Sequence, residues 1–146
     1  MNQPCIQPIA GKDLWRLTAD YEVFTGAWYV RAMAGLITDG ASIPDLPILR
    51  WVIGDAVEDD LAGPAVIHDA LYQAESLPRN VCDQILYDLC RQNGVGRCRA
   101  WLIYRAVRMF GGCVWARHDT QQVLNAQAQV EVKSVCNSTP SARPQS

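Results

Sequence analysis

No run of apolar residues in this 146-residue chain approaches the ~20 needed to cross a bilayer, which argues against an α-helical membrane span. The opening residues, Met1-Asn2-Gln3-Pro4-Cys5-Ile6-Gln7-Pro8, lack the charged start and apolar core of a secretion signal. The expected location is therefore the cytoplasm in which the chain is made, unless something else carries it out. An excess of one charge is also missing. Thirteen Lys and Arg against fifteen Asp and Glu leave a net charge of −2, so no overall basic field argues for nucleic acid, and the DNA-binding motifs are absent. Six cysteines are present (Cys5, Cys82, Cys90, Cys98, Cys113, Cys136), but none form a Cys-x-x-Cys pair and their spacings fit no zinc pattern. A Gly-x-Ser-x-Gly elbow is lacking too, which leaves a serine-nucleophile mechanism with little support.

What remains is an ordinary globular composition, 49% hydrophobic and 19% charged, in a chain long enough to bury a core without staples. The pattern along the chain divides it into an irregular lead-in (1–13), a single globular α+β domain (14–116) and a polar, largely extended or flexible tail (117–146), within which Val123 to Val135 suits one short helix or strand against a neighbour. Trp15 to Thr18, Tyr21 to Phe24 and Trp28 to Ile37 read as short antiparallel strands, with Thr25-Gly26 as a turn and Gly35 as a bend. Three helices follow. The fold class is α+β: a small N-terminal antiparallel sheet packed on a three-helix portion.

The stretch from Leu61 to Cys90 is the organising one. His68 and Asp69 stand side by side within an apolar helical pattern of Leu61, Ala65, Val66, Ile67, Ala70 and Leu71. Burying two titratable groups there costs free energy unless each finds a partner. On a helix His68 and Tyr72 share one face, and Asp69 lies about 100° round from His68. An aspartate beside a histidine can tune the imidazole as a base or help to hold a cation. A core histidine satisfied by hydrogen bonds explains the pair without chemistry. A second helix begins near Arg79, carries Val81, Cys82, Ile85, Leu86, Leu89 and Cys90 as an apolar stripe, and ends at Gly94. A short link makes these two helices antiparallel neighbours, so Asp83 can reach back to His68.

The segment Thr38-Asp39-Gly40-Ala41-Ser42-Ile43-Pro44 is the other place with chemistry in it. Its side chains suit a tight loop that bonds its own backbone, and the sharper reading points Asp39 and Ser42 toward the His68 helix. Asp55, Glu58, Asp59 and Asp60 precede the first helix and complement its dipole, with Pro64 in the first turn. The third helix is expected over Arg97 to Phe110, with Cys98, Trp101, Leu102, Ala106 and Phe110 inward, Arg97, Arg105 and Arg108 outward, and Gly111-Gly112 as its stop. The row of arginines reads as a wet face or as a surface for an acidic partner. Cys82, Cys90, Cys98 and Cys113 read as small buried hydrophobes, and Cys5 pairs with Cys136 only if the termini meet.

Four motifs in order carry a resemblance. They are Thr38 to Pro44; Ala65 to Tyr72; Arg79 with Cys82-Asp83-Gln84-Ile85-Leu86; and Ile103 to Arg108 with Gly111 and Trp115. Together they resemble the phage and prophage family known only as domain of unknown function 1353, over residues 14–116. That resemblance implies a phage or prophage origin and brings no established activity. More locally, His68-Asp69-x-x-Tyr72 followed by a carboxylate on the next helix is similar to the active-site helices of secreted and parvoviral sn-2 phospholipases. The similarity implies His68 as the base, Asp69 as a Ca²⁺ ligand, Asp83 as the carboxylate that orients the histidine and Tyr72 as its buttress. The glycine-rich calcium loop of those enzymes is missing, and Thr38, Asp39, Gly40 and Ser42 offer the one substitute, with Asp39 as a second metal ligand.

Three functions are therefore in play: a virion- or tail-associated component built round a His-Asp polar centre, an ester or phospholipid hydrolase using Ca²⁺, and a host-directed early effector. The incomplete calcium apparatus tips the reading of the sequence toward the virion component, with other phage virion or tail proteins as partners. A structural network would enclose His68 with both ring nitrogens bonded, whereas a catalytic base needs a solvent-open pocket at His68 and a free ring nitrogen.

Overall fold

The computed structural model describes residues 3–12, 14–38 and 59–135. Asp39, Gly40 and Ser42 lie outside the described residues, as do Asp55, Glu58 and Cys136. Among the described residues the order is β1 (Ile6–Pro8), β2 (Trp15–Leu17), β3 (Tyr21–Phe24), β4 (Trp28–Ala32), β5 (Ile37–Thr38), α1 (Asp59–Ala74), α2 (Arg79–Gln92), α3 (Arg97–Trp115), α4 (Thr120–Gln127) and β6 (Val130–Ser134). The α+β class is as expected, but the strands make two antiparallel three-stranded sheets, β1-β2-β5 and β3-β4-β6.

The division falls at Met33 to Leu36, inside the segment that reads as one extended piece. Gly35 takes φ +95°, open to glycine and strained for other residues, and its N–H bonds the Leu17 carbonyl. The chain thereby leaves β4 in one sheet and enters β5 in the other. Within β3 the period-two pattern holds: Tyr21 and Val23 are buried, Glu22 and Phe24 exposed. Residues 6–8, expected to be irregular, pair with β2 as Ile6↔Leu17 and Pro8↔Trp15.

Where an extended or flexible tail is expected from residue 117, α4 and β6 form instead. Asp119 and Gln122 close a capping box at the start of α4. β6 then completes the second sheet, with Val130↔Ala32 and Val132↔Val30 in register. The short helix or strand expected within Val123 to Val135 is thus present as both, and alternating Val130 and Val132 turn one side of β6 inward at the sheet edge.

α1 is the pivot, packing against α2, α4, β4, β5 and β6. It is buried on most of its circumference, with Val66, Ile67, Ala70 and Leu71 all inside; Val66, Ile67 and Leu71 contribute roughly 1.5–3 kcal/mol each. The helix starts earlier than the sequence implies. Asp59 and Asp60 are its first residues, so Pro64 sits inside it rather than in the first turn. Lacking an N–H, Pro64 leaves the Asp60 carbonyl four residues back without its helical donor; the Asn93 side-chain amide supplies one at 2.8 Å. Gly63 is needed for packing, since a Cβ there would lie 2.3 Å from the Tyr21 hydroxyl.

α2 buries Cys82, Asp83, Ile85, Leu86, Leu89 and Cys90, the expected stripe, and Gly94 follows its end at φ +91°. α3 differs from expectation in two ways. It runs through Gly111-Gly112 to Trp115, and it turns Ala100 and Ile103 inward, leaving Cys98, Trp101 and Leu102 exposed. Cys82 and Cys90 are buried, their thiols pushed up to about 12 by burial. Cys98 and Cys113 are exposed rather than buried.

Candidate functional site

The register of the α1–α2 hairpin builds the site. Tyr72 meets Arg79 near the link, and one helical turn further along each strand of the hairpin His68 meets Asp83. The Asp60–Asn93 bond marks the far end of the same antiparallel pair. His68 Nε2 donates to Asp83 Oδ1 at 2.9 Å, and the Tyr72 hydroxyl donates to the same oxygen at 2.5 Å. The His68 and Tyr72 rings stack tilted with centroids 4.1 Å apart. The sequence-level grouping of His68, Tyr72 and Asp83 is thus brought together.

Two arginines complete the centre, and neither is assigned a role by sequence reasoning. Arg108 Nη1 donates to Asp83 Oδ2 at 2.9 Å, so this side chain, expected in solvent, reaches inward. Arg79 Nε lies 3.8 Å from the same oxygen and donates to the Tyr72 hydroxyl at 3.3 Å. Its Nη2 caps the carbonyls of Val107 and Arg108, which clamps α2 to α3. Glycines make room for this. A Cβ on Gly111 would sit 2.6 Å from the Tyr72 hydroxyl, and one on Gly112 2.9 Å from Arg79 Nη1. Trp115, on the extra turn of α3, meets the Tyr72 ring edge-on at 5.0 Å. The helical i,i+4 spacing of Arg79 and Asp83 is the signal that points to one of the two cations.

Asp83 has no exposed surface. Burial alone drives a carboxyl upward, but hydrogen bonds from His68, Tyr72 and Arg108 outweigh it and hold Asp83 below the usual carboxylate range. The Tyr72 phenol is raised, first by burial and then by its bond to Asp83. Arg108 is raised by its bond to Asp83. An ionised Asp83 accepting from Nε2 puts the imidazole proton on that nitrogen, leaving Nδ1 with its lone pair. Nδ1 makes no hydrogen bond among the described residues, and His68 is buried, with 8% of its surface exposed. The arrangement can accept a proton at Nδ1 while Asp83 stabilises the imidazolium that results.

Asp69 sits half-buried beside this centre. Its Oδ2 accepts from Gln73 Nε2 at 2.9 Å, and the same amide donates to the Ile37 carbonyl at 3.0 Å. The end of β5, with Thr38 buried, is therefore held against α1. Asp39, Gly40 and Ser42, which follow Thr38, lie outside the described residues. No group of three or more His, Cys, Asp and Glu able to hold a metal occurs among the described residues. Calcium at Asp69 would thus need ligands from beyond them.

A family model described as "Protein of unknown function (DUF1353)" matches residues 15–107. The chain belongs to the DUF1353 family. The matched DUF1353 region contains His68, Asp69, Tyr72, Arg79 and Asp83; Arg108, Gly111 and Trp115 follow its end. The uncharacterized protein y4iH of Sinorhizobium fredii (strain NBRC 101917 / NGR234) is 35% identical over 74 residues, 51% of this chain and 30% of that protein. The chain therefore matches less than a third of that relative's length. No solved structure matches it.

Proposed function

We propose that this DUF1353 chain is a hydrolase acting on esters, in which His68 draws a proton from water through Nδ1. The single observation that carries this is the asymmetry of the imidazole: Nε2 is held by buried Asp83, while Nδ1 has no hydrogen bond among the described residues. In the reading, water loses its proton to Nδ1 as its oxygen attacks the ester carbonyl, and Asp83 steadies the imidazolium. The proton then passes from Nδ1 to the leaving alkoxide. Tyr72, Arg79 and Arg108 act as positioning residues, fixing the carboxylate that fixes the ring. Likeness to the sn-2 phospholipase helices supports the same roles for His68, Asp83 and Tyr72.

The test is hydrolysis of a short-chain nitrophenyl ester and of a dispersed phospholipid, with and without added Ca²⁺. His68→Ala is expected to lose at least 100-fold in rate, within the range of general-base catalysis, while keeping its helical circular dichroism. An inactive wild type, or a His68→Ala variant as active as wild type, would overturn the assignment.

A second reading has its own observation. The Asp83 centre ties α1, α2 and α3 together through four side chains, as a purely structural network would. A phage- or prophage-encoded virion or tail component fits that rigidity. Mass spectrometry of purified virions detecting this polypeptide at fixed copy number would favour it.

A further inference from the structure

We propose that the outer face of α3 docks on an anionic lipid surface. α3 turns Ala100 and Ile103 inward and leaves Trp101 53%, Leu102 40% and Met109 67% exposed. These positions, with Arg105 between them, recur at three- and four-residue spacing and form one stripe along the helix. The Arg105 guanidinium lies 5.8 Å from the Trp101 ring centroid, so the cation and the aromatic ring present themselves together. Beside them an open groove of about 420 Å³ is lined by Tyr87, Arg97, Cys98, Trp101 and Leu102.

Charge decides what this face suits. Between Leu89 and His118 the chain carries Arg91, Arg97, Arg99, Arg105, Arg108 and Arg117 and no Asp or Glu, although the whole chain has a net charge of −2. Arg108 is committed to Asp83 and Arg91 to the Val95 carbonyl, and Arg97 and Arg105, both exposed, are the cations that stand beside the apolar stripe. A helix with Trp and aliphatic residues on its outer face and arginines beside them lies in the headgroup region of a bilayer, where the apolar groups enter the acyl boundary and the cations meet anionic headgroups. A single-stranded nucleic acid would use Trp101 for stacking but has no use for Leu102 and Met109, which add no π-face. The inference goes beyond catalysis at His68; where both hold, the ester is a lipid's.

The experiment is co-sedimentation of the full chain with vesicles containing phosphatidylglycerol or phosphatidylcholine alone. The expected result is binding to the phosphatidylglycerol vesicles at least tenfold stronger than to phosphatidylcholine, weakening as salt rises. The double variant Trp101→Ala/Met109→Ala should lose about tenfold in binding, as should Arg97→Gln/Arg105→Gln, all four side chains being on the surface. His68→Ala should bind as wild type does, so failure of the hydrolase and failure of the docking face are read separately. Equal binding to both vesicles, no effect of either double variant, self-association through Trp101 without lipid, or preferential binding of a single-stranded oligonucleotide would each overturn the proposal.

Discussion

Among the described residues two histidine–carboxylate pairs have nearly equal length, and they behave as different objects. His68 Nε2 lies 2.9 Å from Asp83, and His118 Nδ1 lies 3.0 Å from Glu75. Asp83 is sealed between helices and receives His68, Tyr72 and Arg108. Glu75, at the end of α1 with φ +48°, keeps 27% of its side chain exposed beside the α3–α4 link. The number of donors aimed at the carboxylate, and its complete burial, make the first pair a candidate site. The second is a strap between elements. Distance alone does not separate a tuned base from a surface contact.

The sharpest way to break this contrast is to remove both carboxylates in turn. Asp83→Ala leaves Arg108 and His68 facing a buried void and should cost about 3–5 kcal/mol, whereas Glu75→Ala should cost no more than about 1 kcal/mol; urea denaturation measures both. Gly111→Ala comes next, at on the order of 1–3 kcal/mol, because the new methyl collides with the Tyr72 hydroxyl. Gly26→Ala, with nothing within 4 Å of its Cβ and no helix cap to lose, is the control and should be close to neutral. Tyr72→Phe removes one donor from Asp83 while keeping the ring, and should cost about 1–2 kcal/mol by the same measurement. His118→Ala should likewise give only a small change, about 0.2–1 kcal/mol.

Acid titration sharpens the contrast in another way. Asp83 is depressed in the folded chain, so the native state binds fewer protons at this group than the unfolded state does. Its stabilisation is therefore complete above the unfolded carboxyl value near 3.8 and is lost as pH falls through the lower folded value. Thermal melts of wild type and Asp83→Asn from pH 6 downward should differ most at the neutral end and converge in that acid window. A gap that stays constant to the lowest pH would show that Asp83 is not the titrating group.

Legibility in the sequence followed the range of the interactions involved. The His68–Tyr72 face and the Asp83 partner could be read because helical spacing and a four-residue link fix their geometry locally. Gly35 could be read as a bend, though not as the point where the chain changes sheets. Gly111 and Gly112 misled. In isolation they are helix breakers, yet here they are the places where the Tyr72 and Arg79 side chains need room. Trp101 and Leu102 misled in the same way, since apolar identity alone does not choose which side of α3 faces the protein.

The order of residues alone was enough for the α+β class, for the α1–α2 hairpin and for the three side chains that meet between its helices, all of which depend on spacing along a single stretch of chain. The inward turn of Arg108, the continuation of α3 through two glycines, the pairing of β6 with β4 and the exposure of Trp101 were settled by packing between segments distant in sequence. A buried carboxylate recruits whichever cation the fold brings within reach, and which one that is depends on how three helices rotate against each other.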